Sequence, residues 1–312
     1  IFTILLRRIG VCRSFTQQLG FNNSIYLGSK LGFREVIGVI HLPRLPSSKA
    51  RIEDFDINVL ISKVVREATL LDELGYTGVI VENYGDTPYP KRTRDPLTLS
   101  VLSLVVREVV KSVSIPVGIN VLRNSGLEAY SIAVATGAKF IRVNALIETI
   151  ITDSGLIEAE APRLRNIRYN YPGVKIYADI FVKHGVSLNL TYSSILANLT
   201  NIMYINKLDY IRGIVRDYIE RGGADALVVT GLATGEPPNK DYVNLIKKYS
   251  TIPVIVGSGV NPSNVSSYLE VADGIIIGSW IKVNGVAGNP IDPDRAKFFI
   301  NKVRECGYLI EK

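Results

Sequence analysis

A carboxylate, an amine and an imidazole crowd the segment YADIFVKHG, residues 177–185, where an apolar run ends in Asp179, Lys183 and His184. An imidazole near its ordinary pKa of ~6.5 moves protons around neutral pH. A carboxylate in reach of a substrate proton serves as a general base or stabilises an oxocarbenium-like centre. A lysine can polarise a carbonyl, orient a phosphate or, once desolvated, form a Schiff base. The same mix of groups recurs where other apolar runs end. His41 closes VIGVIH, Glu82 and Asn83 close GVIVEN, and Asp86 follows in YGDTPY. Asn120 and then Arg123-Asn124 follow PVGI, Arg142 and Asn144 lie in KFIRVN, and Thr230 closes DALVVT. Glu82, Asp179, Lys183 and His184 are the candidates for catalysis. His41, Asn83, Asn120, Arg123, Arg142, Asn144 and Thr230 are the candidates for substrate binding: arginine takes a carboxylate or phosphate through paired N–H groups, and the asparagines orient hydroxyl groups.

Such scattered residues can act together only if the fold gathers them. Eight Val/Ile-rich runs of strand length occupy 36–40, 78–82, 116–121, 139–144, 174–180, 225–230, 252–257 and 273–278, the pattern of parallel strands covered on both faces. Amphipathic segments of helix length separate them. One spans 57–75 and ends at Gly75, and one begins at Pro96, where proline suits a first helical turn. Eight such units predict an α/β fold, a single (β/α)8 TIM barrel over residues 36–312 with an N-terminal extension over 1–35. An open doubly wound sheet would place a Gly-rich dinucleotide turn after the first strand, where this chain has HLPRLPSS. In a barrel, the loops after the strands form the reactive face. Side-chain alternation puts Ile80 with Glu82, Gly118 with Asn120, and Arg142 with Asn144 on shared faces, so several strands turn polar toward one mouth. A buried network closing the barrel, or simple exposure to solvent, is the competing reading for any single one of these residues.

The last two strands end in small residues, VGSGV at 256–260 and IIGSW at 276–280, with a helix expected near NPSN at 261–264. Small residues let backbone N–H groups approach a phosphate, and these two loops are where barrels commonly bind one. Gly257, Ser258, Gly259, Gly278 and Ser279 are thus the phosphate-binding candidates, set against the simpler reading that glycine only permits tight turns. VTGLATGEPP at 229–238 adds a glycine-rich turn without the ending of a nucleotide P-loop. The spacing of His, Asp and Glu matches no metal motif, so no metal ligands are assigned, although carboxylates with a substrate phosphate could hold Mg²⁺ or another divalent ion.

Composition bounds the rest. Hydrophobic residues make up 47% and charged residues 21% of 312, a composition of a globular chain with ample core. No apolar run reaches membrane-spanning length, and Cys12 and Cys306 lack metal or disulfide spacing, which predicts a reducing, cytoplasmic setting and no membrane insertion. Of the net charge of +7, five come from Arg7, Arg8, Arg13, Lys30 and Arg34, in a leader without acids. The remainder is nearly balanced, so a nucleic-acid surface is not indicated. Arg-rich, acid-poor leaders can be organelle-targeting segments; an over-extended start or an extra helix under the barrel is the reading preferred here. The polar region 186–208 is read as a lid or insertion.

Taken in order, GVIHLPRLPSS, GVIVENYGDTPY, INVLRN, ATGAKFIRVNA, YADIFVKHG, ALVVTGLATGEP, VGSGVNPSN and DGIIIGSWIKVNG resemble the BtpA family from about Ile37 to Arg295. One departure follows RVNA, where LIETIITDSG replaces the family's VHTGA. The resemblance implies a barrel related to phosphate-binding barrels. It also implies, for members in photosynthetic bacteria, a part in photosystem I biogenesis. Two functions follow. The first is an enzyme of isomerase, lyase or nucleosidase type acting on a phosphorylated sugar or nucleoside-like metabolite by general acid/base chemistry. The second is a non-catalytic assembly factor that binds a metabolite. Site chemistry favours the first. Apolar barrel helices could also carry a homo-oligomer interface, which pattern alone does not separate from core packing.

Overall fold

Strands form from the Val/Ile-rich runs, and four of the described helices begin behind a side chain that caps them, Asp56, Asp95, Asn239 or Asp292. The computed structural model describes residues 34–46, 55–182, 184–188, 207–231 and 235–307. Eight parallel strands close a barrel: β1 (Glu35–His41), β2 (Gly78–Glu82), β3 (Val117–Asn120), β4 (Phe140–Val143), β7 (Lys175–Ile180), β9 (Ala226–Val229), β10 (Val254–Val256) and β11 (Gly274–Ile277). Their order around the barrel is β1-β11-β10-β9-β7-β4-β3-β2. Each expected run contains its strand or differs from it by a residue or two. The eight described helices are α1 (Ile57–Leu74), α2 (Pro96–Ser112), α3 (Gly126–Thr136), α4 (Ala161–Asn170), α5 (Lys207–Glu220), α6 (Lys240–Tyr249), α7 (Val265–Leu269) and α8 (Pro293–Glu305). Asp56 caps α1 by accepting from Asn58 and Val59 N–H, and Gly75 ends it at φ +89°. Asp95 accepts from Thr98 N–H ahead of Pro96. These devices satisfy helix ends that would otherwise leave bare backbone groups.

The barrel interior is set by strand parity. Ile37, Val39, Ile80, Phe140, Tyr177, Ala226, Val228, Ile255 and Ile276 form one buried cluster, which matches the two-residue period of strands whose inner faces meet. The opposite faces, with Val36, Ile40, Val79, Val81 and their counterparts, join the buried helix residues in a larger core. On α1 the buried positions are Leu60, Val64, Glu67, Ala68 and Leu71, a helical stripe with one carboxylate in it. Phe140 and Tyr177 stack inside the barrel at 4.6 Å between centroids. The ring of Phe140 fills the space a side chain at position 118 would take, since a Cβ on Gly118 would overlap it.

The segment that departs from the family pattern folds in a way the strand-helix alternation did not predict. β5 (Ile150–Thr152) and β6 (Gly155–Ile157) form an antiparallel hairpin, and β8 (Gly185–Ser187), just beyond β7, pairs with the other side of β5. Ile150 and Ile157 are buried with Ala145 and Val182, so this small sheet lies against the exits of β4 and β7. The leader through residue 33, Lys183, and residues 189–206 of the expected lid lie outside the described residues.

Gly118→Ala should lower stability by about 1–3 kcal/mol, the usual cost of overpacking a filled interior. In urea titrations, Phe140→Leu combined with Gly118→Ala should lose less than the sum of the two single changes. Strictly additive losses would mean that the ring does not need the space.

Candidate active site

The inward parity of the apolar interior continues upward into polar residues. Ile37 and Val39 lead to His41, Ile80 to Glu82, Gly118 to Asn120, Phe140 to Arg142, Tyr177 to Asp179, Ile255 to Gly257 and Ile276 to Gly278. Above the barrel interior lies a cavity of about 500 Å³, lined among others by His41, Glu82, Asn120, Arg142, Asn144 and the turns after β10 and β11.

Glu82 and His41 face each other on its wall. Asn120 Nδ2 donates to Glu82 Oε2 at 2.7 Å, which leaves Oε1 facing His41 Nε2 at 3.8 Å. Gly288 N–H donates to His41 Nδ1 at 3.0 Å, so the neutral imidazole carries its proton on Nε2, the side facing Glu82. Tyr84 stacks on the same ring, with centroids 4.4 Å apart and planes 23° from parallel. On the Gly278 side, a Cβ would stand 3.4 Å from His41 Cε1. Burial, and then the charge of Glu82, raise the Tyr84 phenol above its ordinary value.

Asp179 has a different setting from the one its sequence position suggested. It is fully buried and does not line the cavity. Arg142 donates to its carboxylate from Nε at 2.8 Å and Nη2 at 3.1 Å, and Asn144 Nδ2 donates at 2.7 Å. Burial works against the guanidinium charge of Arg142, but Asp179, its hydrogen bonds and Glu82 outweigh it and hold the group above its ordinary value. Asp179 thus fixes a cation beneath the cavity floor rather than facing a substrate.

Opposite this charged wall stand the turns built of small residues. A Cβ on Gly257 would overlap Val228 and come within 3.3 Å of Arg142 Nη2. Gly259 has φ +70° and packs directly on the backbone of Glu236 and Pro237. Ser258 Oγ is engaged within the protein, donating to Glu236 O at 2.9 Å and accepting from Gly231 N–H at 3.1 Å. Gly257 N–H is bonded to Val229 O, while among the described residues no backbone carbonyl takes the N–H of Ser258 or Gly259. The helix expected after this turn, α7, has only five residues. Ser279 opens the single turn Ser279–Ile281 after Gly278.

The remaining candidates divide by location. Arg123 lines the rim, pairs with Asp153 at 2.7 and 2.9 Å, and lies 5.1 Å over the Tyr89 ring. His184 is exposed and lines the cavity. Asn83 is buried away from it: its Oδ1 accepts from Leu122 N–H at 2.7 Å, and its Nδ2 donates to Asp86, which itself accepts from Leu45 N–H. This network ties the exits of β1, β2 and β3 together. Thr230 is buried behind Gly257. Sequence reasoning missed Tyr84, Tyr89, Trp280 and Asp153, all of which line the cavity; each sits outside the strands, in a short helical turn or a loop, where strand parity carries no signal. Among the described residues, no three His, Cys, Asp or Glu side chains gather as a metal site, and Glu82 with His41 is the adjacent donor pair that faces the cavity.

The BtpA family model matches residues 33–305. The chain belongs to the BtpA family. It is 40% identical over 272 residues to the photosystem I biogenesis protein BtpA of Synechocystis, covering 86% of this chain and 88% of that one. It is also 40% identical to an uncharacterized protein of Thermococcus kodakarensis, over 87% of this chain and 96% of that one. Among solved structures, geranylgeranylglyceryl phosphate synthase from Thermoplasma acidophilum aligns with a TM-score of 0.53 at 12% identity, over 92% of this chain and all of that one. At that identity the likeness establishes the fold alone.

One charged pair in this BtpA family barrel lies behind the Gly278–Ser279 turn, outside the cavity. Lys282 is fully buried, with Nζ 3.7 Å from the Glu67 carboxylate on the inner stripe of α1. Burial pulls its ammonium group down from 10.5 to about 8, against the pull of Glu67. Between those values the unfolded chain holds a proton that the folded one has released, so this group makes stability rise with pH from about 8 to 10.5. Below pH 8 its cost is present in full. Replacing the pair by Lys282→Met with Glu67→Gln should raise the urea midpoint most at pH 7, and the gain over the native chain should shrink toward pH 10.5. A gain independent of pH would refute the assignment. At the cavity floor, Asp179→Asn should cost about 3–5 kcal/mol by stranding a buried arginine. Asp153→Asn, which removes a carboxylate whose side chain is 55% exposed, should cost less than about 1 kcal/mol. Equal losses in thermal unfolding would contradict the difference in burial.

Proposed function

We propose that this barrel binds a phosphorylated small molecule, a phosphorylated sugar or nucleoside-like metabolite, and transforms it by acid–base chemistry at Glu82 and His41. The observation that carries the reading is the Glu82–His41 pair, oriented by Asn120 and Gly288, facing the same cavity as the small-residue turns after β10 and β11. The turns at Gly257–Gly259 and Gly278–Ser279 are the seat for the phosphate, where backbone N–H groups and the nearby Arg142 cation favour an anion. Glu82 takes a proton from a substrate carbon or hydroxyl, and the Nε2–H of His41 donates toward the oxygen on which charge develops. His184, which lines the cavity, would complete the rim, and Glu82 is the carboxylate that would hold a divalent ion together with a substrate phosphate. A structure of the same fold, the Thermoplasma synthase, was solved in complex with its substrate sn-glycerol-1-phosphate, which supports a phosphorylated ligand here. Isomerase, lyase and nucleosidase reactions all fit the pair.

A second reading is favoured by the 40% identity to the Synechocystis photosystem I biogenesis protein: a non-catalytic assembly factor that binds a metabolite at the same mouth. One set of experiments separates the two. Inorganic phosphate and phosphorylated metabolites should raise the melting temperature, as a ligand selective for the folded state must. With a turned-over substrate in hand, Glu82→Gln should lower the rate by about 10²–10⁴-fold while phosphate binding persists. Ligand binding without turnover of any ligand would favour the assembly reading, and no stabilisation by any phosphorylated compound would sink both.

A further inference from the structure

The hydrogen bonds under the cavity fix which way Asn144 presents its amide. The carboxylate of Asp179 can only accept, and it takes Arg142 Nε, Arg142 Nη2 and Asn144 Nδ2. The amide nitrogen of Asn144 therefore faces Asp179, and Oδ1 is turned away from it. Asn144 is only 4% exposed, lines the cavity, and its Oδ1 has no hydrogen-bond partner among the described residues. The adjacent backbone donor, Ala145 N–H, is already bonded to Asn124 Oδ1 at 3.0 Å. A buried acceptor in this state is costly, and a donor brought by a ligand relieves it.

The neighbouring strands present the same polarity. Asn120 commits Nδ2 to Glu82 Oε2, which turns its own Oδ1 away from Glu82. From β2 to β4 three cavity-lining residues on the inward parity of consecutive strands thus carry acceptors outside these bonds, Glu82 Oε1, Asn120 Oδ1 and the buried Asn144 Oδ1. Such a wall fits a run of hydroxyl donors. The edge of a nucleobase alternates donors with acceptors and would leave acceptor facing acceptor. Arg142, held by the same carboxylate as Asn144, reaches the foot of the Gly257 turn, so the hydroxyl wall and the phosphate seat share one fixed cation.

We propose that Asn144 is a specificity-determining residue that accepts a hydrogen bond from a hydroxyl of a phosphorylated polyhydroxy substrate, a sugar phosphate, and rejects analogues lacking that hydroxyl. The inference rests on the phosphorylated-substrate reading above and selects the sugar within it. The test is isothermal titration of the full chain with inorganic phosphate, pentose and hexose phosphates, and their monodeoxy counterparts. At least one sugar phosphate should bind tenfold or more tighter than one of its deoxy analogues, because the unmatched amide oxygen is then left buried. Asn144→Leu should reduce that ratio to within about twofold, the affinity for inorganic phosphate being measured on the same variant to register any change passed through Asp179 to Arg142. Asn120→Leu provides a second variant should the first fail to fold, and should also narrow the preference. Equal affinities for sugar phosphates and deoxy analogues in the native chain, or an unchanged ratio in Asn144→Leu, would overturn the proposal while leaving phosphate binding in place. Failure of inorganic phosphate and every sugar phosphate to bind would instead remove the phosphorylated-substrate reading on which it rests.

Discussion

The mouth of this barrel depends on the buried pair of Arg142 and Asp179. Two charges removed from water carry a desolvation cost that only close, well-oriented contact can offset. Here the contact is bidentate at 2.8 and 3.1 Å, and Asn144 occupies a further acceptor site on the same carboxylate. That arrangement requires three inward positions on two neighbouring strands to be surrendered to polarity. It also requires room, which Gly257 provides, since any side chain there would crowd Val228 and the guanidinium. The pair is a weak argument for stability as such. Its consequence is rigidity: an arginine pinned at both Nε and Nη2 cannot swing, and whatever approaches the Gly257 turn meets a cation in a fixed place.

The opposite flank is organised around His41 by contacts between residues far apart in the chain. Gly288, which belongs to the loop after β11, sets the imidazole tautomer from 247 positions away. Tyr84 covers one side of the ring and Gly278 leaves space nearby. The loop carrying Gly288 is itself braced, because Arg295 donates to Trp280 O at 2.6 Å and lies 4.4 Å over the indole ring. Closing the barrel, by pairing β11 with β1, is what brings these groups to His41. The last strand thus helps set the Glu82–His41 contact although it carries no titratable residue into it.

Parity made much of this legible. Once the strands were placed, the alternation through Ile80, Gly118 and Phe140 carried Glu82, Asn120 and Arg142 to the mouth without further information. What parity cannot supply is depth. Asp179 lies on the inward face as expected, yet it sits under Arg142 rather than beside a substrate, because an arginine side chain is long enough to cover a shorter neighbour. Asn83 sits on the other parity and serves the backbone of Leu122, a role that only the packing of the β2 and β3 exits reveals. The hairpin of β5 and β6 was hidden for another reason: two strands of three residues leave almost no periodic signal, and the apolar residues of LIETIITDSG read as readily as a loop. Tyr84 and Tyr89 reach the cavity from an irregular segment, where position follows from tertiary contacts and not from spacing.

The cavity is therefore divided by chemistry as well as by strand. The flank formed by β1 to β4 and β7 holds the titratable and amide groups, tightly cross-linked. The flank formed by β10 and β11 holds glycine and serine, with Ser258 Oγ already committed to Glu236 and Gly231. On that second flank no described backbone carbonyl takes the N–H groups of Ser258 and Gly259, and backbone donors neither lose their proton nor rotate away. Under the proposed function, an anion seated there would be read by fixed dipoles, while its uncharged portion would extend toward groups that can exchange protons. On that reading, binding and proton transfer would fall to separate strands, with Arg142 at the boundary between them. Such a division would let the chemistry proposed for the first flank be altered by substitution at Glu82 without rebuilding the seat on the second.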